Sequence, residues 1–300
     1  MGPNRVRPWG ERRSPRPDVN MPDDPENLSP EAWGPPPEAL APQPQPPAPP
    51  LEPREIWNGR DLLWFLLFVP LALLVSAFSV TVGYIVVRPI AGWRIQAEAV
   101  QSNVVFLLIQ QGFFYIIVLS FLLLLARVQH HQPLWKSLGW KKPTARQVLA
   151  YLAGGGGLAL LVSLVLSMRP DTQSFPLEKL FDSRTASYAI GTFAILVAPL
   201  VEELVFRGLL FAIFERTVGW RFAVVTTAAL FAGLHIPEYW HAWNHLVMIL
   251  VVGVVFSLAR GVTGSLTPSI LLHVGYNFLI MTALFFSTQH FHLIGELRWP

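Results

Sequence analysis

The hydrophobic positions of the chain fall into long uninterrupted runs rather than into a period of two or a one-sided helical stripe. Leu62 to Val87 contains no charged residue, and neither does Val104 to Ala126, where Gln110 and Gln111 are the main polar interruption. Runs of eighteen or more apolar residues predict transmembrane helices. A third run, Val148 to Met168, holds Gly154, Gly155, Gly156 and Gly157, small residues that let helices approach closely. Further runs cover Ala186 to Phe214, Phe222 to Ile236, Leu246 to Leu258 and Leu266 to Phe286. The pattern predicts an all-α, polytopic transmembrane helical bundle of seven spans, or eight if one short re-entrant piece is added.

Composition sharpens this picture by dividing the chain. Of the 41 charged residues, 16 lie before position 61, as do 17 of the 27 prolines. The remaining body is too poor in charge for a soluble surface, where roughly a quarter of residues are charged, so a soluble enzyme is excluded. Residues 1–56 read as a disordered, proline-rich tail, since the stretch Ala41 to Pro50 can form neither helix nor packed core. No cationic segment, apolar core and small-residue cleavage site occur in the first 30 residues, so the first span is expected to remain as an anchor. Beyond the tail the expected divisions are N-terminal membrane helices over 57–185, a core over 186–288 and a short tail over 289–300.

There is no cysteine, which removes disulfides, thiolate metal sites and a cysteine nucleophile. The net charge of +3 reflects basic residues beside apolar runs, without the basic and aromatic patch of a nucleic-acid binder, so no nucleic-acid partner is expected. Arg127, Lys136, Lys141, Lys142 and Arg146 between the second and third spans have no acidic neighbour. That loop is expected to be cytoplasmic, and two crossings back place the N-terminus in the cytoplasm too. The loop with Arg169, Asp171, Glu178, Lys179, Asp182 and Arg184 is mixed in sign.

Inside the fourth run, Glu202, Glu203 and Arg207 interrupt an apolar sequence. An ionised group at mid-membrane costs at least about 2.5 to 3.5 kcal/mol, so these need partners. Glu203 and Arg207 are four apart and share a helical face, whereas Glu202 is rotated by about 100° and is left as the free carboxylate. His235 ends the fifth run, and His273 and Asn277 lie four apart on the seventh. With about 1.5 Å of rise per residue, Glu202, His235, His273 and Asn277 come to depths that agree within about two turns, which predicts one buried polar cluster. Thr267 is expected to cap the seventh helix, with Pro268 in its first turn. His241 and His245, near Glu238, have a metal-like spacing but sit among Tyr239, Trp240 and Trp243 and read as an interfacial loop; His130, His131, His290 and His292 read as loop or tail residues.

Three motifs now stand in order: E-E-x-x-x-R at Glu202, Glu203 and Arg207; F-x-x-x-H from Phe231 to His235; and H-x-x-x-N at His273 and Asn277, preceded by R-x-x-T-G-S-L from Arg260. Over about Ala186 to Thr288 the chain resembles the CPBP family of intramembrane proteases, which includes type-2 CAAX prenyl proteases, bacteriocin-processing enzymes and lysostaphin-resistance-protein-A-like (Abi) proteins. The resemblance implies an intramembrane endopeptidase of a bacterial cell membrane. Glu202 would activate water with His235, His273 and Asn277 would stabilise the oxyanion, and Glu203 with Arg207 would hold the site. The implied partners are membrane lipid and a peptide or protein substrate, with prenylated peptides among the candidates. Glu202, His235 and His273 are the candidate ligands if a zinc ion is used. H-E-x-x-H is absent and asparagine is a poor zinc ligand, so metal-free water activation is favoured. The competing reading is a non-proteolytic membrane scaffold, immunity protein or proton-coupled transporter, because buried ionisable groups also mark proton paths.

Overall fold

The computed structural model describes residues 56–92, 103–168, 181 and 183–291. The proline-rich tail, His292 and most of the mixed-sign loop lie outside the described residues. The described secondary structure is helical: α1 (Gly59–Ala91), α2 (Val104–Leu124), α3 (Leu134–Ser137), α4 (Ala145–Met168), α5 (Arg184–Leu196), α6 (Ala198–Glu203), α7 (Phe211–Val218), α8 (Trp220–Leu234), α9 (Trp243–Thr263) and α10 (Thr267–Ser287). Six apolar helical stretches are long enough to cross a bilayer: α1, α2 with its extension to Gln129, α4, the stretch Arg184–Val218, α9 and α10. Leu63, Leu67, Leu74, Phe78 and Ile85 of α1 face outward, an apolar surface that belongs in lipid. The protein is an integral membrane protein.

Two of the seven predicted spans are built differently from a plain crossing. The fifth is only α8, 15 residues long. At about 1.5 Å per residue it falls short of a hydrocarbon core of about 30 Å. The fourth is segmented. Val197 breaks it after α5, because Pro199 offers no N–H and its ring crowds the carbonyl one turn back. After α6 the helix widens into π-type turns over Leu204–Leu210 before α7 resumes. Such widenings insert an extra residue per turn and re-aim side chains, often at functional sites.

The start of α1 is fastened from several sides. Asn58 accepts from the Arg60 N–H at 2.9 Å, while the Asp61 carboxylate accepts from the Asn58 N–H at 2.8 Å. Asp61 is fully buried and also meets His130 Nε2 at 3.0 Å and Gln129 Nε2 at 3.3 Å. His130 is therefore not a free loop residue; it hydrogen-bonds a buried acidic side chain. Trp57 Nε1 donates to the Ser137 carbonyl at 2.8 Å, and Arg216 of α7 donates to the Trp57 carbonyl at 3.2 Å. The helix-capping expectation for Thr267 needs correcting. Leu266 is the cap residue, without a side-chain cap bond, and Thr267 Oγ1 instead donates to the Lys141 carbonyl at 2.5 Å. Pro268 does occupy the first turn.

The glycine run of α4 faces α10. A Cβ on Gly155 would overlap the Leu272 carbonyl oxygen and come within 2.8 Å of Tyr276 N, and one on Gly275 would overlap the Leu152 carbonyl oxygen. Backbone thus lies on backbone, and this crossing sits between His273 and Asn277. At Gly157 nothing lies within 4 Å of an added Cβ. The same substitution should therefore act oppositely at the two positions. Gly155→Ala is expected to destabilise by about 1 to 3 kcal/mol through overpacking, and Gly157→Ala to be neutral or to stabilise by up to about 1 kcal/mol through helix propensity. Unfolding midpoints of both variants in detergent give the comparison; equal midpoints would contradict the crossing.

Candidate active site

The charged residues of the segmented fourth stretch turn inward. Glu203 and Arg207 are both fully buried, with Arg207 Nη1 donating to Glu203 Oε1 at 2.9 Å. The guanidinium uses its other donors on α9: Nη2 bonds the Gly253 carbonyl at 2.8 Å and Nε the Ser257 hydroxyl at 3.2 Å. Ser257 Oγ in turn lies 3.0 Å from Thr227 Oγ1 of α8. Phe231 covers the guanidinium, with its ring centroid 4.7 Å from Cζ. One arginine therefore ties together the widened turn, α8 and α9.

His273 of α10 completes this group. Its Nδ1 is 3.0 Å from Glu203 Oε1, and its Nε2 is 3.9 Å from Glu202 Oε2. A carboxylate only accepts, so Nδ1 carries a proton toward Glu203 and the ring is aimed with Nε2 at Glu202. Glu203 Oε2 is the one buried side-chain polar atom without a partner among the described residues.

Glu202 is set apart as its rotation predicts. Its side chain is 22% exposed, against 0% for Glu203. Instead of pairing with Arg207 it accepts from Tyr115 Oη of α2 at 3.1 Å. His235 closes α8, where Nδ1 lies 2.9 Å from the Phe231 carbonyl. The carbonyl can only accept, so in the neutral ring Nε2 is left as an acceptor. The ring of Phe231 lies between the two histidines, 4.8 Å from His235 and 5.8 Å from His273, centroid to centroid. Asn277 donates from Nδ2 to the Ala194 carbonyl at 2.8 Å, near the break in front of Pro199. One of its two amide protons is thereby committed, and the other has no partner among the described residues.

The turn after His235 adds an acid that the sequence reading had set beside His241 and His245. Glu238 feels both His235 and Glu202: desolvation is the main cause that lifts its carboxyl above the usual range, His235 opposes the rise and Glu202 adds to it. Glu238 itself lies exposed on this turn. His241 instead packs edge-on to Trp240, and His245, in the first turn of α9, stacks on Tyr239.

Tyr115, Thr227, Gly253 and Ser257 were missed by motif. The signal for three of them was present as hydroxyl side chains within apolar helices; Gly253 contributes only a carbonyl and left none. Arg260, the first residue of R-x-x-T-G-S-L, donates from Nε to the Arg207 carbonyl at 3.0 Å, so it supports the widened turn. Among the described residues no three His, Asp or Glu side chains converge closely enough to hold a metal ion.

Comparison with known proteins agrees with the motifs. Residues 184–279 match the family described as type II CAAX prenyl endopeptidase Rce1-like. The chain is also 23% identical over 134 residues to the UPF0177 protein YbdI of Lactococcus lactis subsp. lactis (strain IL1403), covering 45% of this chain and 70% of that one. No solved structure matches. The matched segment opens at the first residue of α5, carries all three motifs in order and ends just past Asn277, and over this segment the chain is similar to the Rce1-like type II CAAX prenyl endopeptidases.

Proposed function

We propose that the protein is an intramembrane endopeptidase in which Glu202 activates water without a metal ion. The observation that carries this is the contrast between neighbours: Glu203 is spent on Arg207 and His273, while Glu202 is partly open and faces His273 Nε2. In this reading a water molecule gives one proton to Glu202 and is oriented through its other proton by His235 Nε2. Its oxygen attacks the carbonyl carbon of the scissile peptide. The developing oxyanion is met by the uncommitted N–H of Asn277 and by His273 in its doubly protonated form, held from behind by Glu203. Glu202 then returns the proton to the amide nitrogen, and the C–N bond breaks.

The substrate is proposed to be a peptide or protein presented at the membrane, with C-terminal prenylated peptides as the first class to try, following the matched family's description. Purified protein is tested against prenylated and unmodified membrane-anchored peptides, with products read by mass spectrometry. Cleavage by the wild type and its loss in Glu202→Gln and His235→Ala is the expected result. Equal processing by all three overturns the site, and stoichiometric zinc that disappears together with activity in His235→Ala overturns the metal-free chemistry.

A further inference from the structure

One oxygen of Glu202 is held from outside the family-matched segment. Tyr115 sits in the middle of α2, is only 9% exposed, and donates its hydroxyl proton to Glu202 Oε1. Gln111, one turn earlier, reaches the same hydroxyl. The tyrosine ring stacks on Phe193 of α5, with centroids 5.7 Å apart and planes 17° apart. Gly112 lies on the same side of α2, where an added Cβ would make only an ordinary contact with Phe193, at 3.9 Å. Phe193 immediately precedes Ala194, whose carbonyl receives Asn277. Burial and the stack on Phe193 thus hold the ring where its hydroxyl meets Glu202.

We propose that Tyr115 is the positioning residue for Glu202. It occupies Oε1, so that Oε2, the oxygen 3.9 Å from His273 Nε2, is the one presented to water. The terminal torsion of a glutamate is broad and poorly self-determined, and an unheld carboxylate would divide its time among orientations. A hydrogen bond to the charged form is the strong kind. The other ionisable groups around Glu202 are Glu203 and Arg207 on its own stretch, His273 from α10, and Glu238 and His235 from the end of α8 and the turn after it. None of these takes Oε1. The inference rests on the endopeptidase reading for its chemistry, but the pairing itself does not.

Tyr115→Phe keeps the ring and its stacking and removes only the donor. It is expected to lower kcat by about 10- to 100-fold with KM changed by less than about 2-fold, and to leave the unfolding midpoint in detergent nearly in place. In a Glu202→Gln background the same change should cost nothing further, because both act through one carboxylate. A readout free of substrate is the tyrosine ring doublet in ultraviolet resonance Raman spectra, isolated as wild type minus Tyr115→Phe. Its signature of a strong donor should weaken in Glu202→Gln, and this holds whether or not cleavage is ever detected. If Tyr115→Phe folds poorly, 3-fluorotyrosine in place of Tyr115 keeps shape and donor and should retain at least about half of kcat. A wild-type kcat in Tyr115→Phe, independent losses in the double variant, or a doublet indifferent to Glu202→Gln would each overturn the assignment.

Discussion

Glu202→Gln is expected to slow peptide-bond cleavage by about 10²- to 10⁴-fold, the range contributed by a positioned general base, while leaving the fold intact. The amide keeps an oxygen to accept from Tyr115 Oη and occupies the same partly open space. What it cannot do is take a proton from water. Single-turnover measurements with enzyme in excess isolate this step from substrate binding and product release. His235→Ala should fall in the same range, through loss of the acceptor Nε2, and the two changes together should cost little more than either one because they act on one water molecule. Retention of more than about a tenth of the rate in Glu202→Gln would remove this carboxylate from the chemistry.

The largest stability effect is expected at Arg207. Arg207→Leu should cost about 3 to 5 kcal/mol, because it strands a fully buried carboxylate at Glu203 and takes donors from the Gly253 carbonyl and Ser257. Arg207→Lys should recover only part of this, since a lysine cannot reproduce the fork that reaches three acceptors at once. The double change Glu203→Leu with Arg207→Leu should regain much of the stability, as paired removal of a buried ion pair commonly does. It should not regain activity, because His273 Nδ1 loses the carboxylate that aims its ring. Denaturant unfolding in detergent beside the cleavage assay separates the two outcomes. An Arg207→Leu variant as stable as the wild type would show that the pair contributes nothing.

Much of this was legible in residue spacing. The separation of Glu202 from the Glu203 and Arg207 pair follows from helical rotation alone, and the meeting of His273 with both acids follows from depth along apolar helices. The close approach promised by the glycine run of α4 is met at Gly155. The break at Val197 and the widened turns after Glu203 were not legible, although Pro199 marked the place. They depend on which tertiary partners take the freed carbonyls, and Asn277 at Ala194 is such a partner. Thr267 misled because the helix starts one residue earlier than expected: Leu266 is the cap, Thr267 lies in the first turn, and its hydroxyl donates to the Lys141 carbonyl. The pairing of Tyr115 with Glu202 and that of His130 with Asp61 were not legible for a related reason: each partner lies more than sixty positions away, and neither Tyr115 nor His130 belongs to a motif.

The backbone contact between α4 and α10 has a consequence for dissecting the molecule. The family match begins at α5, yet the height of His273 is set where Gly275 rests on α4, and one oxygen of Glu202 is held from α2. The matched stretch is thus not a transplantable module. Grafted into another set of helices it would carry every motif residue and lose the register between them, because no side-chain rearrangement can replace a carbonyl lying against a glycine.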